Sequence, residues 1–142
     1  MFQNRWLKPA SVLMGRMPHG ADLLTSLTDI CIEKQITLGW IQGLGALQRA
    51  RLGYYHQETQ TYAYFDLDQH LEVLNLTGNV SVKDGKPMVH AHVTLADSKG
   101  RCYGGHLAEG TLVFACEYQI HVFEGDPLVR QFDEVTGLTL WD

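Results

Sequence analysis

From Ile36 to Phe123 the chain is a succession of short apolar runs, and this texture constrains the fold more than any other feature. The runs cover residues 36–42, 46–56, 62–65, 71–82, 88–95, 102–107 and 111–123. They are rich in β-branched and aromatic residues and are cut by polar or glycine-bearing turns, as strands are. Lys83-Asp84-Gly85-Lys86 and Asp97-Ser98-Lys99-Gly100 suit hairpins better than crossovers, so neighbouring runs should pair antiparallel. One further strand is expected over 11–17, ended by Pro18, His19 and Gly20. Between them, Leu23, Leu24, Leu27, Ile30 and Cys31 repeat as one face of a helix, with Asp22 placed to cap it. The spacing predicts that helix over 21–35. One main helix packed on a mostly antiparallel sheet is an α+β arrangement, and 142 residues fit a single domain spanning 1–142.

Charge and cysteine usage narrow the function classes. The net charge of -5 and the scatter of the eleven Lys and Arg residues give no long-range attraction to a polyanion, which counts against direct DNA contact. Residues 1–10 carry Arg5 and Lys8 with no apolar run after them, so neither a signal peptide nor a membrane span is expected and a cytoplasmic protein is. Cys31, Cys102 and Cys116 are odd in number and form no C-x-x-C pair. Free thiols are therefore expected, rather than a disulfide framework or a thiolate zinc cage.

Along the last long run, Leu112, Phe114, Cys116, Tyr118, Ile120 and Val122 share one face by alternation, and Glu117, Gln119 and His121 the other. Cys116 then reads as core, while Glu117 and His121 read as solvated. The tail over 128–142 should pack back through Trp141 and its leucines, over a strand edge or another subunit.

Three histidines carry the chemistry. His90 and His92 in Val89-His90-Ala91-His92-Val93 lie two apart on a strand, on one face with Cα atoms about 7 Å apart, so both imidazoles can reach one ion. If the following hairpin turns through the five residues 97–101, Leu95 falls opposite Tyr103 and His92 opposite His106, which brings a third imidazole alongside. A loop one residue shorter would turn His106 away unless Gly104 and Gly105 formed a bulge. Three neutral imidazoles with an open position suit a divalent transition metal, Zn first, then Fe, Ni or Mn. Cys102 shares parity with His106 but stands about 13 Å along the strand, too far to be a ligand. Thr94 shares the histidine face and reads as an ordinary strand residue. The Gly43-x-Gly45 step lacks the third glycine and following helix of a nucleotide loop, so Gly39, Gly43 and Gly45 read as kinks or close-packing points.

Taken together, Asp22-Leu23-Leu24-x-x-Leu27, Ile41-Gln42-Gly43-Leu44-Gly45-Ala46-Leu47, Glu72-Val73-Leu74-Asn75-Leu76-Thr77-Gly78-Asn79, Met88-Val89-His90-Ala91-His92-Val93-Thr94-Leu95-Ala96-Asp97 and Gly104-Gly105-His106-Leu107 resemble the PPC domain family over residues 13–123. That family includes stand-alone prokaryotic proteins and the core domain of plant nuclear proteins bearing AT-hooks. The resemblance implies a homotrimer and, as in prokaryotic members, a metal at His90, His92 and His106. It also implies a DNA-binding label, which in the plant proteins depends on a basic Arg-Gly-Arg-Pro hook outside the domain. Gly15-Arg16-Met17-Pro18 is not such a hook.

Three readings follow. The first is a metal-holding trimeric module that binds a small ligand or a partner without turnover. The second is a metal-assisted enzyme with an open Zn position. The third is a transcription-related interaction domain that meets DNA only through partners. A cupin enzyme is a weaker match, because Asp97 stands where that pattern has Glu, within a predicted turn, and no second motif follows.

Overall fold

The computed structural model describes residues 3–141; the expectations touching Met1, Phe2 and Asp142 lie outside them. Strand β1 (Lys8–Met17) leads to helix α1 (Leu23–Glu33), then to β2 (Gly39–His56), β3 (Thr61–Leu67), β4 (Leu71–Lys83), β5 (Lys86–Ala96), β6 (Cys102–Leu107), β7 (Leu112–Glu124), β8 (Arg130–Asp133) and β9 (Leu138–Trp141). A seven-stranded sheet runs β1-β7-β2-β4-β5-β6, with β3 against β2, and β8-β9 form a separate pair. Every pairing between these strands is antiparallel.

The expected α+β balance is wrong. Strands take 63% of the chain and helix only 8%, so the fold is sheet-dominated rather than a sheet with a helical layer. The physical reason lies in β2. Its first part pairs with β4 and β7, while its last residues pair with β3 and reach β6 through Leu52 opposite Leu107 and Gly53 opposite His106. The sheet thus curls on itself through β2, β4, β5 and β6, and a curled sheet buries its own inner face. Ile41, Leu47, Leu52, Leu76, Leu95, Leu107, Val113 and Ile120 are all 1% exposed or less on that face. A long helical cover is not needed.

The helix has the work of a plug. Leu23, Leu27 and Cys31 are fully buried, the stripe read from the spacing, and Leu24 and Ile30 flank it. It is shorter than 21–35 at both ends for local reasons. Asp22 is the N-cap, with Oδ1 accepting from Thr25 N–H at 2.9 Å and Oδ2 accepting from Gly110 N–H at 2.6 Å, so helical geometry starts only after it. At the other end Gln35 takes φ 56; its N–H donates to Ile32 O, and Ile36 N–H donates to Cys31 O. That is a left-handed closing turn with a glutamine where glycine is usual.

The hairpin at Lys83-Asp84-Gly85-Lys86 is present as read. Lys83 faces Lys86 across the pair, and Asp84 and Gly85 both have positive φ, 51 and 76, as a two-residue turn matched to strand twist requires. The runs 36–42 and 46–56 differ from expectation, since their residues from Gly39 to His56 form one strand. Its pairing with β4 slips between Gly43 and Gly45, and Gly45 has φ 146. A Cβ there would lie 2.2 Å from Ala115 O, so the strand bends where only glycine fits.

Strand β7 corrects the simple alternation. Its pairing with β2 shifts at Ala46 and Leu47, which turns Val113 inward and leaves Phe114 58% exposed. Cys116 and Ile120 stay in the core.

Candidate metal centre

The site grows from one register. In β5, Val89, Ala91, Val93 and Leu95 are buried, which sends His90, His92 and Thr94 to the outer face. The turn is the five-residue one: Asp97 N–H donates to Arg101 O at 3.0 Å, and β6 pairs with Leu95 opposite Tyr103 and His92 opposite His106. Asp97 holds this turn. Its Oδ1 accepts from the N–H groups of Lys99 and Arg101, and its Oδ2 accepts from Arg101 Nε at 2.7 Å and Tyr103 O–H at 3.1 Å. Burial pushes this carboxyl up, but those four donors outweigh it and hold the pKa at about 2. Asp97 is therefore a structural clasp, away from the imidazoles.

The three rings meet. Centroid separations are 5.1 Å for His90–His92, 5.0 Å for His90–His106 and 5.5 Å for His92–His106. One ligand atom from each lies within 4.8 Å of the others, close enough for a single ion to draw them together. The glycines of β6 act differently from the bulge considered above. Gly104 and Gly105 stay in register opposite Thr94 and Val93, and a Cβ on Gly105 would sit 2.9 Å from Gly53 O. Glycine here lets β2 approach β6 beside His106.

The donor set fits a metal on two counts. Nδ1 of His106 is buried and lacks a hydrogen-bond partner, a costly condition unless a metal or another partner meets it. In addition, burial lowers the pKa of His90 to about 4, helped by His106, Arg130 and His92; burial, then His92 and Arg130, lowers that of His106. Neutral imidazole is the ligating form. The same shifts fix a stability trend for the metal-free chain. An imidazole whose folded pKa lies below its unfolded value near 6.5 takes up protons more readily when unfolded, so stability is full above pH 6.5 and falls as pH drops toward about 4. Urea unfolding at pH 7.5 and pH 5, with chelator present, should give the lower midpoint at the lower pH; equal midpoints would contradict the burial assigned to these rings.

Several residues around the cluster were not read from sequence. Arg130 on β8 donates through Nε to Ser81 Oγ at 2.6 Å, through Nη1 to Thr139 O at 2.8 Å and through Nη2 to Asn79 Oδ1 at 3.1 Å. Asn79 pairs with His90 across β4 and β5, and Nη2 of Arg130 is 3.5 Å from His90 Nδ1. Tyr62 on β3 places its ring 5.1 Å from His106. The tail beyond 128 thus packs against β4 through Arg130. Nothing near Arg130 in sequence links it to His90, forty residues earlier. Cys102 is exposed, opposite Ala96, and outside the cluster.

Comparison with known proteins fixes the family of the chain. The model of the Plants and Prokaryotes Conserved (PCC) domain matches residues 7–124. The chain belongs to that family. A PCC relative of known structure, a metal-containing protein from Archaeoglobus fulgidus, is 39% identical, with TM-score 0.94 and 99% of each chain covered. A plant- and prokaryote-conserved protein from Pyrococcus horikoshii is 34% identical, with TM-score 0.93 over 99% of this chain and 97% of that one. A Ralstonia eutropha protein proposed to bind DNA is 25% identical, with TM-score 0.81 over 91% and 89%. Two curated relatives, both bifunctional GlmU proteins of Synechococcus, are 34% and 33% identical over 100 residues, but this PCC chain spans only 15% of their length. Among the described residues no helix is long and apolar enough to cross a membrane.

Proposed function

We propose that this PCC chain, a single domain over 1–142, holds one divalent transition ion, Zn in the first place, through His90, His92 and His106, and presents the ion's open side to a small ligand or partner. The observation that carries the proposal is the meeting of three imidazole donor atoms within 4.8 Å, one of them on a ring whose buried Nδ1 has no partner. The metal-containing A. fulgidus relative supports it. A bound ion of this kind acts as a Lewis acid toward a ligand in its open position. The chain's residues supply neutral donors, the Asp97 clasp that fixes the β5–β6 register, and a polar fringe of Asn79, Ser81 and Arg130. Among the described residues no carboxylate joins the three histidines, and the reading stops at binding without turnover.

A homotrimer is part of the same reading. Val12, Met14, Trp40, Leu44, Leu74 and Phe114 are 44–75% exposed, and an apolar surface of that kind is what association would cover. Cytoplasmic residence agrees with three free cysteines. A DNA-associated role has the R. eutropha relative in its favour, but the net charge of -5 opposes direct contact.

Equilibrium dialysis against zinc, followed by elemental analysis and sedimentation, tests the proposal. The expected result is one tightly retained ion per chain and a mass of three chains. Zinc at background level would overturn the metal reading, and a monomer the assembly.

A further inference from the structure

Charge around the candidate centre is one-sided. Arg130 is 7% exposed, and each of its hydrogen bonds goes to an acceptor that is not a carboxylate: a hydroxyl, a carbonyl, an amide oxygen and an imidazole nitrogen. Its guanidinium also lies over the Trp141 ring at 4.8 Å. No carboxylate pairs with it among the described residues, where the ion pairs involve Lys8, Lys34, Arg49, Arg51 and Arg101 instead. Buried cations ordinarily take an acidic partner, because an uncompensated charge out of water is costly.

This cation stands at the edge of the imidazole cluster, with Nη2 3.5 Å from His90 Nδ1. Four of the five guanidinium N–H donors are used, in the bonds to Ser81, Thr139 and Asn79 and in the 3.5 Å contact with His90 Nδ1, which leaves one. A divalent ion on neutral imidazoles would add two positive charges beside the one on Arg130. No residue of the cluster offers a negative charge to offset them. An evolved site that repels its own ion is unfavourable unless something anionic completes it. A guanidinium without an acidic partner and with a donor to spare, at the edge of the imidazole cluster, is suited to a carboxylate, which can bind the metal and accept a charge-assisted hydrogen bond.

We propose that the centre is a receptor for a small carboxylate, bound at the open position of the metal held by His90, His92 and His106 and selected by the buried, acid-free Arg130. The inference rests on the metal reading above, and its test separates the two. The chain is loaded with Co²⁺ and titrated with acetate, and in parallel with neutral acetamide, while the visible absorption of the cobalt is followed. Acetate should change the spectrum saturably and acetamide should not. Arg130→Gln should keep one Co²⁺ per chain yet bind acetate about tenfold more weakly or worse, the loss of one charge-assisted contact; Arg130→Lys, which keeps the charge, should lie between the two. An unchanged parent spectrum with acetate, or equal acetate affinity in Arg130→Gln, would overturn the inference while leaving the metal site standing. If Arg130→Gln fails to fold, the acetate-against-acetamide contrast in the parent and the Arg130→Lys affinity decide it. Failure of the parent to retain Co²⁺ would sink the metal reading, and with it this one.

Discussion

His106→Ala is expected to strip the metal from the folded protein. With three protein ligands, removal of one takes away a large share of the binding free energy; structural zinc sites with four ligands bind with roughly 10–16 kcal/mol, so losing one ligand should weaken binding by about a hundred- to a thousandfold. Folding should survive, because His106 pairs with His92 on β5 and Gly53 on β2 through its backbone, which alanine keeps, and its ring lies outside the hydrophobic core. Removing a ring whose buried Nδ1 has no partner also removes a cost to the metal-free chain. Elemental analysis after dialysis, with sedimentation and circular dichroism of the same samples, should show a folded protein of parental size without its ion. Equal metal content in variant and parent would remove His106 from the ligand set. His106 is the sharper choice than His90, whose Nδ1 lies beside Arg130, since loss of His90 would also disturb the guanidinium.

Gly45→Ala should cost the fold about 3 kcal/mol or more, a large part of the margin of an ordinary domain. The backbone at Gly45 has φ 146, a region L-residues avoid. The added Cβ would meet Ala115 O at 2.2 Å and Cys116 Cα at 2.7 Å, both on β7 and neither free to move. Because β2 is hydrogen-bonded to β4 on one side and β7 on the other, a shift to relieve the clash breaks pairing with both. Urea unfolding of the metal-free variant should show a strongly lowered midpoint. A midpoint equal to the parent's would contradict the account of β2 as one bent strand. The effect should reach the site as well, since Gly53 of the same strand is paired with His106.

What could be read from the sequence was what local rules govern. The helix stripe at Leu23, Leu27 and Cys31, the Asp22 cap and the Asp84-Gly85 turn depend on neighbours a few residues away; the turn that sets His92 opposite His106 was legible only as one of two loop lengths, and the five-residue one is found. The features that went unread depend on contacts between distant segments. Nothing in the residues 39–56 says that they form one strand shared by four partners, so the closing of the sheet was missed and the helix was given too large a part. Phe114 points outward because β7 bulges against β2, which alternation within β7 cannot show. Arg130 meets Asn79 and His90 only after the chain has passed through β6 and β7, and a lone arginine in a tail has no local mark of that position.

The central claim is that three imidazoles from two adjacent strands share one ion. X-ray absorption at the zinc edge of the loaded parent protein tests it most directly. Three nitrogen scatterers near 2.0–2.1 Å with the outer-shell pattern of imidazole rings are expected, falling to two in His106→Ala wherever ion can be forced on. A first shell of sulfur, or of oxygen alone, in the parent would mean that the metal sits elsewhere and that the meeting of these histidines has another cause.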